Sequence, residues 1–461
     1  MSKKHDLEYE PKSAWDVYSS KKDLKAMHSM AKRYVDFLSD CKTERLVMDY
    51  VRERVAKAGF VDDLKAPLAY RFNRNKTCFL ARKGKHPLSE GFRLVGAHAD
   101  CPRLDLKQRP LYEDTDICLG KTHYYGGIRK YQWLTIPLAL HGTVVKKSGE
   151  EVTICIGEDP KDPVFTITDL LPHLAYKEVV KKVSDAFDAE KLNIILGQSP
   201  AAAPKKGDDK PSDPVKIKVL ELLNKKYGID ESDFFSAEIQ AVPAGRARFV
   251  GLDESMIGGY GHDDRSSVFC ALEAFLEEPE PEYAQIVLFW DKEEIGSDGA
   301  TGAKSLFFEY CMEELADAWE PGARLSKIFM NGSALSADVS AAMDPDHKDV
   351  YEPLNAARLG YGPCFNKFTG HRGKVGANDA HPDFIGWLRR IFDDAGIPWH
   401  MSELGKVDVG GGGTVAKFLA VYGMDVIDVG VPVLSMHSPF ELASKADIYA
   451  CTLAFREFLK N

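Results

Sequence analysis

The sequence predicts an α/β fold in which a mixed, mostly parallel central sheet carries helices on both faces and is interrupted by a β-rich insertion. With 461 residues, the chain exceeds the roughly 250–300 residues at which a single hydrophobic core stops growing. Apolar runs typical of buried strands alternate with helix-like segments on both sides of a middle region, which is itself rich in Thr, Val, Ile and turn signals. We therefore predict one domain from residues 1–105 and 241–461, and an insertion domain over residues 106–240.

Two amphipathic helices are predicted within the first 60 residues, because apolar side chains recur there at helical spacing. The first stripe consists of Met27, Met30, Ala31, Tyr34, Phe37 and Leu38, and the second of Leu46, Tyr50, Val51 and Val55. A buried strand then starts at Leu94 and leads into a loop that contains His98 and Asp100. A strand that delivers a His and an Asp into a loop is a common way to build a site in α/β proteins.

The part of the chain after residue 245 repeats the alternation of strands and helices. We predict helices over 266–277 and 445–459, and strands over 286–290, 328–330 and 425–429. Within the insertion, the segment 200–215 is small, charged and rich in Pro. It is therefore predicted to be a surface loop or a disordered segment without a chemical role.

The charge and the apolar patterning disfavour several classes of protein. Lys plus Arg number 60 against 70 Asp plus Glu, a net charge of -10, and no basic cluster offers the face that nucleic-acid binding requires. The N-terminus lacks the apolar run of about 7–15 residues of a signal peptide, and no stretch reaches the about 18 apolar residues of a spanning helix. The sequence therefore predicts a cytoplasmic protein with neither nucleic-acid nor membrane partners.

The residues that could carry chemistry are acids and histidines at the ends of predicted strands. His98 and Asp100 are two residues apart, so both project to one side of an extended segment. His98 could ligate a metal while Asp100 fixes its ring or a neighbouring group. Asp263 and Asp264 precede the helix at 266–277, a position that suits an N-cap as well as a metal ligand. From the residues alone, capping and ligation stay equally open.

Glu293 and Glu294 follow the apolar strand that ends at Trp290. Because adjacent side chains point in different directions, one carboxylate can bind a metal while the other addresses a water molecule beside it. Asp338 and His437 follow two further strand-like segments. Jointly, these histidines and carboxylates form the mixed nitrogen and oxygen set that suits Zn²⁺, Co²⁺ or Mn²⁺ in a two-metal hydrolytic site.

Six short motifs resemble the aspartyl aminopeptidase (aminopeptidase I) family of di-metal exopeptidases. They follow the family's order over nearly the whole chain. The motifs are AHADCP (97–102), GHDDR (261–265), DKEEIGS (291–297), SAD (336–338), GGGGT (410–414) and MHSPFE (436–441). The resemblance implies a zinc aminopeptidase-like fold, with the catalytic domain formed by residues 1–105 and 241–461.

The resemblance also implies that each subunit binds two divalent metal ions, with zinc expected first and cobalt or manganese as alternatives. The implied ligands are the bridging Asp263, His98 and Asp338 on one ion, and Glu294 and His437 on the other. The chain has Asp264 where the family usually has Asn, so either carboxylate of the Asp263–Asp264 pair stays a candidate for the bridge.

In the mechanism that the resemblance implies, Glu293 is the general base and Asp100 lies beside His98. Two ions about 3.5–4 Å apart would share a water molecule, lower its pKa and polarise the scissile carbonyl. Glu293 would take the proton and pass it to the leaving amine. The free α-amine of the substrate would bind a metal or a nearby carboxylate, which accounts for exopeptidase action.

Substrate contacts and assembly are implied in the same way. Family members that select acidic residues use a Lys, and Lys367 and Lys374 are both candidates, so acidic and neutral side chains both stay open. Gly412 belongs to a glycine run that predicts a tight turn or an anion cradle. His141 matches a histidine that enters the neighbouring subunit's site in some relatives, and a buried structural histidine is equally supported. The family's insertion builds dimers, so residues 106–240 are expected to form a dimerisation or lid domain in a homo-oligomeric dodecamer.

The sequence therefore predicts a metal-dependent aminopeptidase that acts on peptides. A di-zinc deacylase of N-acyl amino acids is one alternative, which would use the same metals without requiring a free α-amine. A non-catalytic, self-assembling shell protein of the same fold is the other. Such a protein has no physical need to keep Glu293 and all five ligand positions together.

Overall fold

The computed structural model describes residues 7–202, 212–277 and 280–461. The chain divides into two compact units. The first consists of Met1–Cys101, Ala247–Met436 and Phe440–Asn461, and the second of Pro102–Arg246 and His437–Pro439. Residues 203–211 of the segment predicted as a loop lie outside the described residues, and a helix begins at Pro214.

The helices are distributed over both units. In chain order they are α1 Ala14–Val17, α2 Lys21–Asp40, α3 Glu44–Lys57, α4 Val183–Ala186, α5 Pro214–Tyr227, α6 His262–Glu277, α7 Phe307–Trp319, α8 Leu325–Met330, α9 Pro382–Asp394, α10 Ala416–Ala420 and α11 Lys445–Lys460. Short 3-10 helices lie at Leu88–Glu90, Lys130–Trp133, Ala189–Lys191, Glu231–Ser236, Glu293–Ile295 and Lys348–Val350. Within the described ranges, no helix has both the length and the apolar character needed to cross a bilayer.

The strands form four sheets among the described residues. In chain order they are β1 Leu68–Asn73, β2 Thr77–Arg82, β3 Phe92–His98, β4 Arg103–Asp114, β5 Ile117–Tyr125, β6 Leu138–Val145, β7 Glu151–Ile156, β8 Ile194–Gly197, β9 Ala237–Pro243, β10 Arg248–Val250, β11 Met256–Gly259, β12 Ala284–Trp290, β13 Ser333–Ala337, β14 Ser340–Ala341, β15 Cys364–Asn366, β16 Gly370–His371, β17 His400–Met401, β18 Gly411–Gly412, β19 Asp425–Gly430, β20 Pro432–Leu434 and β21 Glu441–Ser444.

The central sheet of the first unit contains eight strands in the order β1-β2-β12-β3-β13-β19-β15-β17. Its middle strands β12, β3, β13 and β19 are parallel, whereas β1, β2 and β15 have antiparallel neighbours. The predicted mixed, mostly parallel sheet is therefore confirmed. Because the middle strands are parallel, their carboxyl ends lie along one edge, which is where open α/β sheets bind ligands.

Helices cover both faces of this sheet, as the sequence predicts. On β12, Val287 and Phe289 belong to one buried apolar cluster, and Ile286 and Leu288 belong to the other. This alternation is expected of a strand that is buried on both faces. The first cluster includes residues of α2, α3, α6, α9 and α11, and the second includes residues of α7, α8 and α10. The side chains at the ends of the middle strands are therefore held on a packed frame.

The two helices predicted near the N-terminus are α2 and α3. The apolar stripe of α2 is buried, and its residues Tyr34 and Phe37 pack against the ring of Phe269 on α6. Both helices begin at a capping side chain, because Ser20 and Thr43 each accept a hydrogen bond from a backbone N–H of the first turn. Apolar spacing and caps at the sequence level are thus sufficient to place these helices.

One predicted strand is wrong. The segment 328–330 belongs to helix α8, and the strand that precedes Asp338 is β13. Three consecutive apolar residues fit a buried helix as well as a strand, so the triplet alone could not decide between them. The actual strand has the sequence SALSA, whose small side chains give little sign of burial. Asp338 still follows the end of a buried strand, although a different one from that predicted.

The second unit is built on a six-stranded sheet in the order β7-β6-β9-β4-β5-β8. All of its strand pairs are antiparallel. Helix α5 belongs to the same unit, and its residues Val215 and Val219 pack with Cys118 of β5. The middle part of the chain is therefore rich in β-structure, as its Thr, Val and Ile content indicates.

Candidate active site

The candidate site lies where three neighbouring parallel strands of the central sheet end. β3 ends at His98, β12 leads into Glu293 and Glu294, and β13 leads into Asp338. The register pairs Trp290 with His98 across β12 and β3, so these ends are level with each other. The strand-end position of these residues, predicted from the sequence, brings them to a single edge of the sheet.

His98 is the centre of the cluster. Its side chain is buried, and Nδ1 lies 2.9 Å from the backbone carbonyl oxygen of Asp100. Since a carbonyl oxygen only accepts hydrogen bonds, Nδ1 carries a proton, and in the neutral ring Nε2 then presents the lone pair. Nε2 lies 3.1 Å from Oδ1 of Asp263 and 3.8 Å from Oδ1 of Asp338. The lone pair of the ring therefore faces two carboxylates.

This arrangement fits a bound cation. Nε2 of His98 is buried and has no hydrogen-bond partner among the described residues. His98, Asp263 and Asp338 offer ligand atoms that all lie within 4.8 Å of one another, and so do His98, Glu293 and Glu294. A lone pair and carboxylate oxygens at such distances repel each other unless a proton or a metal ion lies between them. One nitrogen and several oxygens are ligands that Zn²⁺ accepts.

The pKa values reflect the crowding of charges. Burial alone would lower the pKa of His98, but its interactions with Asp100, Asp263 and Asp338 outweigh burial and raise the pKa well above its ordinary value. Burial raises the pKa of Glu293 to about 8, against the opposing effect of His98, and the neighbouring carboxylates add to the rise. A bound cation would therefore reduce the repulsion among these carboxylates, because a cation stabilises their ionised forms.

Asp263 and Asp264 have different surroundings, although they are adjacent and both buried. The side chain of Asp263 faces His98 Nε2. Two hydrogen bonds hold the backbone of Asp263: its N–H donates to the Glu441 carboxylate at 3.1 Å, and its carbonyl oxygen accepts from the Cys101 thiol at 2.9 Å. Oδ2 of Asp264 instead accepts the backbone N–H of His98 at 3.3 Å. The geometry therefore favours Asp263 as the metal ligand and gives Asp264 a role in holding β3.

Asp100 connects the two halves of the cluster. Its carboxylate is buried, and its two oxygens accept the backbone N–H groups of Glu293 and Glu294, both at 3.2 Å. Its own carbonyl oxygen meanwhile fixes the ring of His98. One residue thus sets the orientation of an imidazole and of the chain that carries the adjacent carboxylates. Asp100 is accordingly a positioning residue.

Replacing Asp100 by Ala should lower both metal affinity and kcat/KM by about 10–100-fold, because residues that orient metal ligands typically contribute this much. The variant leaves two buried N–H groups without their acceptor, so the Glu293–Glu294 segment should shift. Metal content by atomic spectroscopy and steady-state kinetics check this. Asp298→Ala is the matched control, since Asp298 is 76% exposed and forms an ion pair with Lys304 at the surface. Unchanged metal content and kinetics in Asp100→Ala would contradict the positioning role.

Three buried carboxylates near the site were not identified from the sequence. Glu441, at the start of β21, holds the backbone of Asp263. Asp291 accepts from Thr301 Oγ1 at 2.7 Å and from Lys292 Nζ at 2.8 Å. The pKa of Asp428, on β19, is raised to about 7 by its burial. An acid flanked on both sides by apolar residues within a strand, as in 426–429, is the signal that could have identified Asp428.

The predicted substrate-binding lysines share one carboxylate. Lys367 forms an ion pair with Oδ1 of Asp379, and Lys374 Nζ lies 3.2 Å from its Oδ2. Burial is slight, and these two lysines together lower the pKa of Asp379. Gly412 lies in β18, where it pairs with Gly370 of β16. Neither lysine therefore offers an unpaired charge to an acidic side chain.

His141 and His437 belong to the second unit. His141 is buried, and its Nε2 lies 2.9 Å from Oε1 of Glu158. Burial lowers the pKa of His141, but Cys155 and Glu158 reverse this effect and raise it. Nδ1 of His437 lies 2.8 Å from the carbonyl oxygen of Gly127. The predicted roles of both histidines stay predictions.

Comparisons with known proteins show which proteins this chain is similar to. A family model described as aminopeptidase I zinc metalloprotease (M18) matches residues 37–459. A probable M18 family aminopeptidase 1 from Clostridium acetobutylicum is 47% identical, with 99% of this chain and 100% of the relative covered. The crystal structure of an M18 family aminopeptidase from Thermotoga maritima has a TM-score of 0.92 at 44% identity, over 98% of this chain and 100% of that one. The S. cerevisiae mApe1 dodecamer shares the fold, with a TM-score of 0.76 at 18% identity over 95% of this chain and 97% of that one.

Proposed function

This chain belongs to the aminopeptidase I (M18) family of zinc metalloproteases and is a metal-dependent aminopeptidase, and from this premise we propose how its residues act. The proposed reaction is the removal of N-terminal amino acids from peptides, with Glu293 as the general base. The observation that carries the proposal is the cluster of His98, Asp263 and Asp338, whose ligand atoms lie within 4.8 Å of one another beside Glu293.

We propose that two divalent ions, zinc in the first place, bind at five positions. These are His98 and Asp338 for one ion, Glu294 and His437 for the other, and Asp263 for both. When bound, the ions would polarise the scissile carbonyl and lower the pKa of a water molecule. Asp263 and Glu294 offer ligand atoms within 4.8 Å of each other, in support of a second position. His437 is included among the proposed ligands because Met436 before it and Phe440 after it belong to the first unit, which contains the other four proposed ligands.

Glu293 moves the proton in the proposed mechanism. Its carboxylate is not needed to fix the backbone of its own loop, because Asp100 holds that loop through the N–H groups of Glu293 and Glu294. Glu293 Oε2 lies 4.0 Å from His98 Nε2, close to the ligands without belonging to the His98–Asp263–Asp338 group. Once ionised, it can take a proton from water and later deliver it to the amine that leaves.

Hydrolysis of aminoacyl-anilides by chelator-stripped protein, before and after addition of Zn²⁺, Co²⁺ or Mn²⁺, tests this function. We expect no turnover without metal and recovery with metal. Peptides with an acetylated N-terminus should not be cleaved, because the free α-amine is part of the recognition. Preference for acetylated substrates would instead indicate the deacylase. A folded, metal-loaded protein without any turnover would indicate the shell protein.

We propose that the residue removed has a neutral side chain. An acidic side chain requires a cation as its partner, and Lys367 and Lys374 are both already ion-paired with Asp379. An acidic substrate would have to displace Asp379 from two lysines before it could bind them. A neutral side chain can bind without breaking these ion pairs.

Replacing Asp379 by Asn should shift specificity toward acidic residues. The substitution releases two lysines, so the ratio of kcat/KM for aspartyl- over leucyl-anilide should rise about tenfold, the effect of about 1.4 kcal/mol. Measurement of kcat/KM for both anilides gives this ratio. Asp394→Asn, which changes an exposed carboxylate elsewhere on α9, should leave the ratio unchanged. A wild-type protein that already prefers aspartyl-anilide would contradict the proposal of a neutral specificity.

We propose a cytoplasmic homo-oligomer, a dodecamer built from dimers, in which residues 106–240 supply the dimer contacts. The support is the dodecameric assembly of the S. cerevisiae relative and the separate, β-rich second unit of this chain. In such an assembly His141 would reach the site of a neighbouring subunit. His141→Phe should then lower activity without dissociating the oligomer. A variant that keeps both activity and assembly would leave His141 a structural partner of Glu158.

A further inference from the structure

The second unit contains an apolar cavity that the proposed reaction does not use. It has a volume of about 480 Å³ and lies between α5 and the six-stranded sheet. The sheet contributes apolar side chains from β4, β6, β7, β8 and β9, and α5 contributes a row along its length. Representative lining residues are Leu140, Ile154, Val219, Leu222, Phe234 and Ile239. All of the lining residues belong to the second unit.

This cavity is too large to be an ordinary packing gap. Protein interiors contain few voids larger than a water molecule, whereas small-molecule sites measure about 300–1,000 Å³. Much of its lining is buried: Leu140, Ile154, Phe234 and Ile239 are each 5% exposed or less. Leu222, which is 54% exposed, also lines it, so the cavity is open to solvent on one side. A volume of 480 Å³ holds roughly sixteen groups of the size of water, at about 30 Å³ each.

The polar side chains that line the cavity are the consecutive residues Lys225, Lys226 and Tyr227, which lie in the last turn of α5. Tyr227 is engaged, because its hydroxyl donates to the carbonyl oxygen of Cys155 at 2.9 Å. Lys226 Nζ lies 3.8 Å from Asp162. Lys225 is exposed and forms no ion pair with the residues that the structure describes. The cavity therefore combines an apolar lining with two lysines from the last turn of α5.

We propose that this cavity binds an apolar monocarboxylate of the fatty-acid type. Its hydrocarbon chain would lie between α5 and the sheet, and its carboxylate would lie at the end of α5 beside Lys225. A carboxylate of ten to twelve carbons matches the volume, and its single negative charge matches the lysines. The proposal does not depend on the proposed peptidase reaction, because none of the lining residues is a proposed metal ligand or the proposed base.

Titration calorimetry with decanoate on the full-length, metal-loaded protein tests the proposal, at concentrations below those at which decanoate forms micelles. We expect one decanoate bound per chain. Decyltrimethylammonium has the same tail and the opposite charge. It should bind at least about tenfold more weakly, because its positive charge would lie beside lysines of the same sign. Equal affinity for both amphiphiles, or no binding of decanoate to folded protein, would overturn the proposal.

Two kinds of variant test whether decanoate binds in this cavity. Lys225→Glu should weaken decanoate binding about tenfold, whereas Lys181→Glu, a charge reversal at a lysine of the same unit that does not line the cavity, should not. Ile154→Phe should abolish binding by filling the cavity, and Leu222→Trp provides a second filling variant at a half-exposed position. Peptidase activity and circular dichroism report on folding. If the filling variants change the oligomeric mass and leave decanoate binding intact, the cavity is occupied by a second copy of the chain and the proposal is wrong.

Discussion

Glu293→Gln should lower kcat by about 10³-fold, within the range of 10²–10⁴ that a general base contributes, while the protein keeps its metal ions. The amide has nearly the shape of the carboxylate but cannot accept a proton. Because Asp100 holds the backbone of Glu293 through its N–H group, the loop should stay in place when the side chain changes. The large loss should therefore come from chemistry and not from a collapsed site.

The neighbouring residue provides the control. Glu294→Gln removes a proposed ligand, so it should lower metal content as well as activity. Comparison of the two variants by atomic spectroscopy and by kcat then separates the base from the ligand. If Glu293→Gln also loses metal, Glu293 is a ligand. If it keeps near-normal kcat at full metal content, another group supplies the base.

Asp263→Asn should abolish binding of both ions and lower activity by more than about 10³-fold. Its carboxylate is the one that faces the lone pair of His98 at 3.1 Å, and an amide is a poor substitute for a negatively charged ligand between two cations. Zinc stoichiometry and turnover at saturating metal measure the two effects.

Asp264→Asn is the matched change one residue along the chain. Its side-chain oxygen accepts the backbone N–H of His98, and an amide oxygen can accept the same hydrogen bond. The variant should therefore keep its zinc and remain within about tenfold of the wild-type activity. The reverse result, with metal lost in Asp264→Asn and retained in Asp263→Asn, would assign the bridge to Asp264.

Part of the candidate site could be predicted from the sequence. Glu293 and Glu294 follow an apolar run, and His98 and Asp100 follow another, so their positions at strand ends could be predicted from local patterns. The edge at which they meet follows from the parallel arrangement of the strands. The choice between Asp263 and Asp264 did not follow, because both residues precede the same helix. Their different partners, His98 Nε2 for one and the His98 backbone for the other, are contacts between distant parts of the chain.

The partners of Lys367 and Lys374 likewise could not be predicted from the sequence. The family resemblance implies that a Lys recognises an acidic side chain, and Lys367 and Lys374 stay candidates as long as their own partners are unknown. Asp379 lies five residues beyond Lys374 and twelve beyond Lys367 in a segment without regular spacing, so no periodicity connects the three. Only the folded loop shows that both lysines are ion-paired with the same carboxylate.

The sequence by itself determined the fold class, the helices α2, α3 and α11, three of the four buried middle strands (β3, β12 and β19) and the set of acids and histidines that follow the strands. These features depend on local spacing and on apolar content, which a chain carries whether folded or not. The tertiary structure alone decided that residues 328–330 are helical, that Asp100 orients the His98 ring and the Glu293–Glu294 segment, that Asp263 faces His98, and that α5 and its sheet line a cavity. The last three depend on distances between residues far apart in the chain, and such distances are fixed only when the packed core holds the strands in register.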